Sequence, residues 1–381
     1  MHPVESKIQQ TRRDFLATSA SGLGGVALSS LLAEEGLLAK EFTNPMASRK
    51  PHFKPKAKAC ITIFMAGAPS HLDLFDPKPV LNKRSGEKLP KEILDKARFA
   101  FIQPGSATLM ASKRTFKKYG QCGMDFSDYL PHLGSVADDL LMVRSMHSDE
   151  FNHHPGQLLM QTGVSRFGMP TAGSWITYGL GSESKNLPGY VVLTAGRGSS
   201  GGATLWQSGF LPSTYAGVLF RNQGEPVLNL QNPKGIPPEL QRAGLDTLRT
   251  INNGRFEKIH DPEIASRIAT YELASRMQTA APELIDLAKE NDRTLEMYGV
   301  TRKEPGGGGR GKSGNTYQDF ARNCLLARRM VERGVRYINI IYASWDHHSN
   351  LDPELKYNAG AVDQPIAALI KDLKQRGMLD S

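Results

Sequence analysis

Cysteine is scarce in this chain of 381 residues, which has only Cys60, Cys122 and Cys324. An odd number of widely spaced cysteines argues against a disulfide framework. It also argues against a cysteine-based metal knuckle, which needs two cysteines a few residues apart. Any metal site in this protein is therefore expected to use other side chains.

Concentrated positive charge is also missing. The net charge is +9, but the basic residues are scattered and do not alternate with aromatic residues. Nucleic-acid binding is therefore a poor first hypothesis. The chain is 39% apolar and 22% charged, which is ordinary for a soluble protein, and it is long enough for one large domain or two smaller ones.

Residues 11–33 form a weakly apolar segment, with Arg12 and Arg13 just before Phe15 and Leu16. The segment is too short and too rich in serine and glycine to predict a stable transmembrane span. Paired arginines before such a segment are typical of a twin-arginine export signal, and the alternative is an amphipathic N-terminal helix. We therefore assign residues 1–40 to a signal region and 41–58 to a linker, and expect a periplasmic or cell-envelope location with the twin-arginine export machinery as a partner.

Four continuous apolar stretches are rich in β-branched residues, as buried strands are. They are residues 60–67, 139–146, 190–196 and 335–343.

Apolar residues at helical spacing predict three helices. These cover residues 262–297 with a break at Pro282, then 315–332 and 362–376. Gly334 and Gly377 follow the last two, as expected for helix C-termini. The alternation predicts an α/β domain over residues 59–381 with a largely parallel sheet.

Two glycine-rich stretches match phosphate-binding motifs without their context. Residues 306–313, GGGGRGKS, fit the P-loop spacing but follow no buried strand, so the composition indicates a linker. Residues 196–201, GRGSSG, follow a predicted strand, but no convincing helix comes next. A mobile surface loop beside the site is the better interpretation.

Histidines and aspartates cluster just after three of the predicted strands. The clusters consist of His71, Asp73 and Asp76; His147, His153 and His154; and Asp346, His347 and His348. In an open α/β sheet, ligands bind outside the carboxyl ends of the strands, so these groups are expected to converge. Imidazole and carboxylate groups are typical metal ligands, and bound divalent ions could polarise a phosphoryl or sulfuryl oxygen. The alternative for each residue alone is a solvated loop side chain.

Several of these stretches together resemble the exported bacterial proteins of domain of unknown function 1501. They are the twin-arginine start, GAPSHLDLFDPKP, NHHPGQLLMQTG, ARNCLLARRMVERGVR and WDHH. That family is similar to sulfatases and belongs to the alkaline phosphatase superfamily. The resemblance implies a three-layer αβα sandwich with one or two divalent-metal positions beside a nucleophile at a helix N-terminus.

The resemblance also implies roles for individual residues. The sulfatase signature aligns His153 with the nucleophile, and Gln157 stands at the arginine position, so the usual cysteine or serine is absent. Asp346 and His347 resemble the superfamily's Asp–His metal pair, and Asp73, with Asp76 second, matches the acidic ligand after the first strand.

The predicted site therefore has His153 at the reaction centre and a divalent metal (zinc, calcium or manganese). The expected metal ligands are Asp73, His154, Asp346, His347 and His348.

The family normally continues with EFGRTP-like and GRDH-like stretches that this sequence lacks, so we expect the sandwich to miss its last strands. Two functions remain open. One is a metal-dependent hydrolase of sulfate or phosphate esters, acting on small molecules or polysaccharides. The other is a non-catalytic exported binding or cell-envelope protein on the same fold.

Overall fold

A parallel sheet organises the chain in the computed structural model, which describes residues 44–96, 103–305 and 314–381. Its strands are β1 (Cys60–Ala66), β4 (Tyr190–Ala195), β5 (Val218–Phe220) and β6 (Tyr337–Ala343), in the order β1-β6-β4-β5. All three pairings are parallel. The carboxyl ends of the strands therefore lie at one edge.

Eleven α-helices occur within the described residues. Four short ones come early: α1 (His71–Leu74), α2 (Pro79–Lys83), α3 (Lys91–Leu94) and α4 (Pro131–Gly134). The middle of the chain forms α5 (His153–Thr162), α6 (Ala172–Leu180), α7 (Pro238–Ile259), α8 (Pro262–Ile285) and α9 (Asp292–Tyr298). The last two are α10 (Thr316–Glu332) and α11 (Leu351–Gln375). A separate antiparallel hairpin pairs β2 (Phe116–Tyr119) with β3 (Met124–Ser127).

Strand β6 is buried along its whole length because it pairs on both sides and is covered on both faces. Successive side chains alternate between the two faces. Ile338 and Ile340 face the larger core, which contains α10, whereas Tyr337 and Ile341 face a smaller core that contains α5. The α/β class and the parallel sheet predicted from the sequence are confirmed.

Three of the four predicted strands are present, but the strand predicted for residues 139–146 is wrong. A 3-10 turn, Ala137–Asp139, is followed by irregular chain in which Leu141 is 90% exposed. The apolar composition does not reveal whether a partner strand is available. This segment is held by polar contacts instead, since Lys374 bonds Asp139 at 2.6 Å and Arg144 pairs with Asp76 at 3.6 Å.

The helix predictions hold with shifted bounds. The helix predicted for 315–332 is α10, and 362–376 is the second half of α11, which continues through Pro365. Residues 262–297 form two helices, α8 and α9, and Pro282 lies in the last turn of α8. The P-loop-like residues 306–313 and the twin-arginine segment lie outside the described residues.

Part of the predicted linker contacts the domain. The backbone of Arg49 donates a hydrogen bond to Leu180 O at 2.9 Å, and Ser182 donates one to Met46 O at 2.9 Å. These bonds attach residues 46–49 to the end of α6. No helix among the described residues combines the length and apolarity needed to cross a bilayer.

Candidate active site

An open cleft of about 290 Å³ lies at the carboxyl edge of the sheet. Its wall comes from the ends of β1 and β6, the loop after β4, and the first turns of α5 and α11. The lining residues used below are Gly67, His153, Gln157, Arg197, Ser344 and Asp346. This is the edge at which the parallel topology predicts a ligand site.

The backbone is tightly packed where β1 and β6 end. Gly67 has φ +101°, and a Cβ there would lie 2.5 Å from the backbone nitrogen of Asp346. Ser344, just after β6, has φ +105°, an unusual value for a residue with a side chain. Such conformations persist only where the surrounding structure enforces them, and they are common at functional sites.

His153, Asp346 and His348 lie close together, and the first two line the cleft. Oδ2 of Asp346 lies 3.1 Å from Nε2 of His153 and 2.8 Å from Nε2 of His348. The ligand atoms of the three residues all lie within 4.8 Å of one another. Their side chains are 49%, 43% and 66% exposed respectively, so solvent or a ligand can reach them. We call these three residues the His–Asp–His cluster.

Helix α5 supplies His153 as its first residue, after Asn152 as N-cap. The side chain of Asn152 makes no capping hydrogen bond, so it does not occupy the backbone N–H groups of the first turn. The start of α5, with its partial positive charge, is beside the cleft. The resemblance implied a reactive group at a helix N-terminus, and His153 stands there.

His347 points away from the cluster, as expected for neighbours on an extended segment. Its Nε2 lies 3.0 Å from Nδ2 of Asn358, which is 3% exposed. An amide nitrogen can only donate, so His347 accepts through Nε2 and carries its proton on Nδ1. Burial lowers the pKa of His347, which favours this neutral form.

The structure does not bring the other predicted ligands into the cluster. Asp73 is buried and accepts hydrogen bonds from the hydroxyls of Ser70 at 2.7 Å and Ser112 at 2.6 Å. Nε2 of His154 lies 3.2 Å from Oγ1 of Thr204, and its ring packs edge-on against Phe167.

The remaining acid and imidazoles are also placed apart. Asp76 pairs with Lys78 at 2.8 Å. His71 begins α1, and His147 is exposed in the irregular segment before α5. Of the five predicted metal ligands, the cluster contains Asp346 and His348, and it adds His153, which the sequence assigned to the reaction centre.

Sequence reasoning missed Arg197, Glu354 and Asn358. Arg197 and Glu354 line the cleft, and Asn358 donates a hydrogen bond to the backbone oxygen of Ser344, which also lines it. Arg197 lies inside the GRGSSG stretch after β4, so its position at a strand end was a usable signal. The two α11 residues gave none, because the predicted helix began after both of them.

The cluster offers donor atoms of the kind that hold a metal ion. Two imidazole nitrogens and one carboxylate oxygen form a donor set suited to zinc or manganese, whereas calcium prefers oxygen ligands only. Three protein ligands leave further coordination positions open, which is typical of catalytic rather than structural zinc sites.

The fold and the cleft define an α/β protein with a polar cleft at the carboxyl edge of a parallel sheet. Its family is known: the chain belongs to the family described as "Protein of unknown function (DUF1501)", whose model matches residues 57–381. No curated protein and no solved structure matches the chain.

Proposed function

We propose that this protein is an exported, metal-dependent hydrolase of phosphate or sulfate esters. The observation that carries the proposal is the His–Asp–His cluster, in which Asp346 lies within 3.1 Å of His153 and 2.8 Å of His348 at an open cleft. Open α/β sheets bind ligands at the carboxyl ends of their strands, and a metal ion held there by imidazole and carboxylate groups would assist ester hydrolysis.

The three side chains would hold one divalent ion through Nε2 of His153, Oδ2 of Asp346 and Nε2 of His348. A bound ion supplies Lewis-acid polarisation of an ester oxygen and lowers the pKa of water. Asp346 supplies the negative charge that a cation requires, and the fixed turn at Ser344 orients it. The donor set favours zinc, with manganese second, over calcium.

The nucleophile is expected to be water. His153 occupies the start of α5, where the sulfatase-like pattern places cysteine or serine, and the adjacent residues are Asn152 and His154. None of the three offers a hydroxyl or thiol. The expected reaction is therefore direct hydrolysis without a covalent sulfo- or phospho-enzyme at the start of α5.

The same observation favours a second function. A binding or cell-envelope protein would need no nucleophile and could keep the cleft to hold a ligand. One fold hosts many functions, so a test has to target the site itself.

The paired arginines at residues 12 and 13 support export and a periplasmic or cell-envelope location. An ester substrate there is expected to be a small molecule or a polysaccharide. Since the cleft is open rather than enclosed, it would admit part of a longer chain.

The test begins with metal binding to the purified full chain. Zinc, manganese and calcium are titrated by calorimetry, and bound metal is quantified by mass spectrometry. We expect one tightly bound zinc per chain. The isosteric change Asp346→Asn removes the ligand charge and should weaken zinc binding at least tenfold. Asp380→Asn, on an exposed residue outside the cleft, is the matched control and should leave binding unchanged.

Activity is then measured on aryl phosphates and aryl sulfates with the zinc-loaded protein. Hydrolysis that disappears in Asp346→Asn but not in Asp380→Asn supports the enzyme. Zinc binding without hydrolysis of either ester class supports the binding function. A folded protein that binds none of the three metals would contradict the proposed hydrolase.

A further inference from the structure

A single arginine lies in the wall of the cleft. Arg197 is exposed, belongs to the loop of residues 196–201 after β4, and lines the cleft together with His153 and Asp346. No carboxylate among the described residues pairs with it. A guanidinium that faces a cleft without a partner can bind a tetrahedral oxyanion through two parallel N–H donors.

The loop that carries Arg197 is fixed to α5 by one buried side chain. Oε1 of Gln157 accepts hydrogen bonds from the hydroxyl of Ser199 at 2.6 Å and from the backbone N–H of Gly201 at 3.1 Å. Its Nε2 donates to Oγ of Ser200 at 3.1 Å. Gln157 is 6% exposed, and all three bonds go to the same loop.

This loop begins and ends with a glycine that is closely packed against a neighbouring side chain. Gly196 has φ +66°, and a Cβ there would lie 2.6 Å from the ring of Tyr342. A Cβ at Gly201 would lie 2.6 Å from the side chain of Leu205. Both ends are therefore packed closely, while a Cβ at Gly198 would meet nothing within 4 Å. The middle of the loop thus faces open space beside Arg197.

Gln157 belongs to the same helix as His153, one turn further along. Because it bonds the loop three times, it couples the position of Arg197 to that of the His–Asp–His cluster. This explains why a polar residue is buried at this point of α5, where a helix packed against a sheet would ordinarily place an apolar one.

We infer that Arg197 binds the tetrahedral oxyanion of the substrate, and that Gln157 is the positioning residue that holds Arg197 opposite the cluster. The inference rests on the proposed function and deepens it, because it assigns the residue that recognises the phosphate or sulfate group. Asp346 and Glu354 also line the cleft and would repel an anion. Bound zinc offsets that charge, so zinc should strengthen anion binding.

The test measures binding of inorganic phosphate and of sulfate to the full chain by calorimetry at low ionic strength, with and without zinc. Arg197→Ala should weaken binding of the preferred anion at least tenfold in the zinc-loaded protein. Arg197→Lys should restore part of it, because an ammonium keeps the charge without the bidentate geometry. Arg267→Ala, on an exposed residue of α8 outside the cleft, is the matched control and should bind normally.

Gln157→Ala should weaken anion binding about as much as Arg197→Ala while zinc affinity changes less than threefold. If that variant fails to fold, Ser199→Ala removes one of the three bonds and should give a smaller loss in the same direction. Comparison of the phosphate and sulfate affinities shows which of the two anions Arg197 prefers.

The outcomes distinguish a failure of the Arg197 inference from a failure of the proposed hydrolase. Unchanged anion binding in Arg197→Ala, with zinc still bound, overturns this inference and leaves the proposed hydrolase standing. Unchanged binding in both Gln157→Ala and Ser199→Ala overturns the positioning role. Anion binding that depends on Arg197 in a protein that binds no metal overturns the proposed hydrolase but retains Arg197 as the anion-binding residue.

Discussion

Nδ2 of Asn358 donates a hydrogen bond to the backbone oxygen of Ser344 at 2.7 Å. This bond joins α11 to the turn just after β6, where Ser344 has φ +105°. Asp346 follows two residues later. The bond therefore fixes the turn that carries the carboxylate of the cluster.

Replacing Asn358 should damage both stability and the site. Asn358→Leu leaves Ser344 O, the buried hydroxyl of Tyr342 (2.6 Å from Oδ1) and His347 without their partner. We expect a loss of about 3 kcal/mol in the free energy of unfolding, since each unpaired buried group costs about 1–3 kcal/mol. Zinc affinity should fall roughly tenfold, as for other losses of support around metal ligands.

Urea unfolding and zinc calorimetry measure these two effects. Tyr342→Phe is the matched control, because it removes one bond to Asn358 and leaves the turn held. It should cost about 1 kcal/mol and leave zinc affinity unchanged. Equal zinc affinity in Asn358→Leu and wild type would show that the turn does not need this bond.

Gly67→Ala should disturb the cluster through the backbone. An alanine at φ +101° is strained, and its Cβ would collide with the backbone nitrogen of Asp346, 2.5 Å away. We expect a loss of at least about 2 kcal/mol together with weaker zinc binding. Gly244→Ala, in the middle of α7 with nothing within 4 Å of its Cβ, should instead stabilise the protein by up to about 1 kcal/mol. Denaturation curves of both variants check the contrast.

The raised pKa of Tyr129 leads us to expect a loss of stability at alkaline pH. Burial raises the pKa of Tyr129 to about 12, and the hydroxyl donates to Asp352 at 3.1 Å. The unfolded chain ionises at pH 10, its ordinary pKa, so it binds fewer protons than the folded chain between pH 10 and about 12. Stability therefore falls as pH rises through that window.

Tyr129→Phe cannot ionise, so its decline between pH 9 and pH 11 should be smaller than in wild type by about 1 kcal/mol after allowance for solvent screening. The remaining buried tyrosines contribute equally to both proteins. Urea unfolding at the two pH values gives the difference. Parallel declines would indicate that Tyr129 titrates normally in the folded state.

The buried ion pair of Asp372 with Arg328 should contribute to stability without affecting the cleft. Asp372 is 4% exposed, lies 3.1 Å from Nε of the buried Arg328, and accepts a hydrogen bond from the hydroxyl of Tyr298 at 3.0 Å. Asp372→Asn leaves the Arg328 charge less compensated and should cost about 3 kcal/mol. Glu283→Gln, in a solvent-exposed pair 4.0 Å from Lys289, should cost less than about 0.5 kcal/mol. Zinc binding should survive both changes, since neither residue lines the cleft.

The sequence was informative where a local pattern determines the structure. Continuous β-branched runs identified β1, β4 and β6, and the parallel pattern placed Asp346 at the carboxyl edge of the sheet. His153 was expected there because it follows the strand predicted for residues 139–146, but that strand is absent, and His153 reaches the cleft from the start of α5 instead. The same logic failed for residues 139–146, because an apolar run does not show whether another strand is free to pair with it. The N-terminal half of α11 was missed because it contains Asp352, Pro353 and Glu354 rather than a plain apolar period.

Within the site, the sequence could not show which member of an adjacent pair faces the cleft. His347 and His348 are chemically alike, and only the turn after Ser344 sends one toward Asn358 and the other toward Asp346. The same holds for His153 and His154, whose directions depend on the rotation of α5 about its axis. Side-chain direction in turns and first helical residues depends on tertiary packing, which spacing alone does not encode.

The pairing of β1 with β6 has a consequence for when the candidate site forms during folding. Cys60 pairs with Tyr337, so the two segments meet only after residue 337 has been synthesised. Such high contact order slows folding, because loop closure precedes any gain from the contact. A ribosome-bound intermediate that still lacks residues 337–348 has neither the central strand nor Asp346. The His–Asp–His cluster is thus assembled only at a late stage of folding, after the emergence of the segment that completes the sheet.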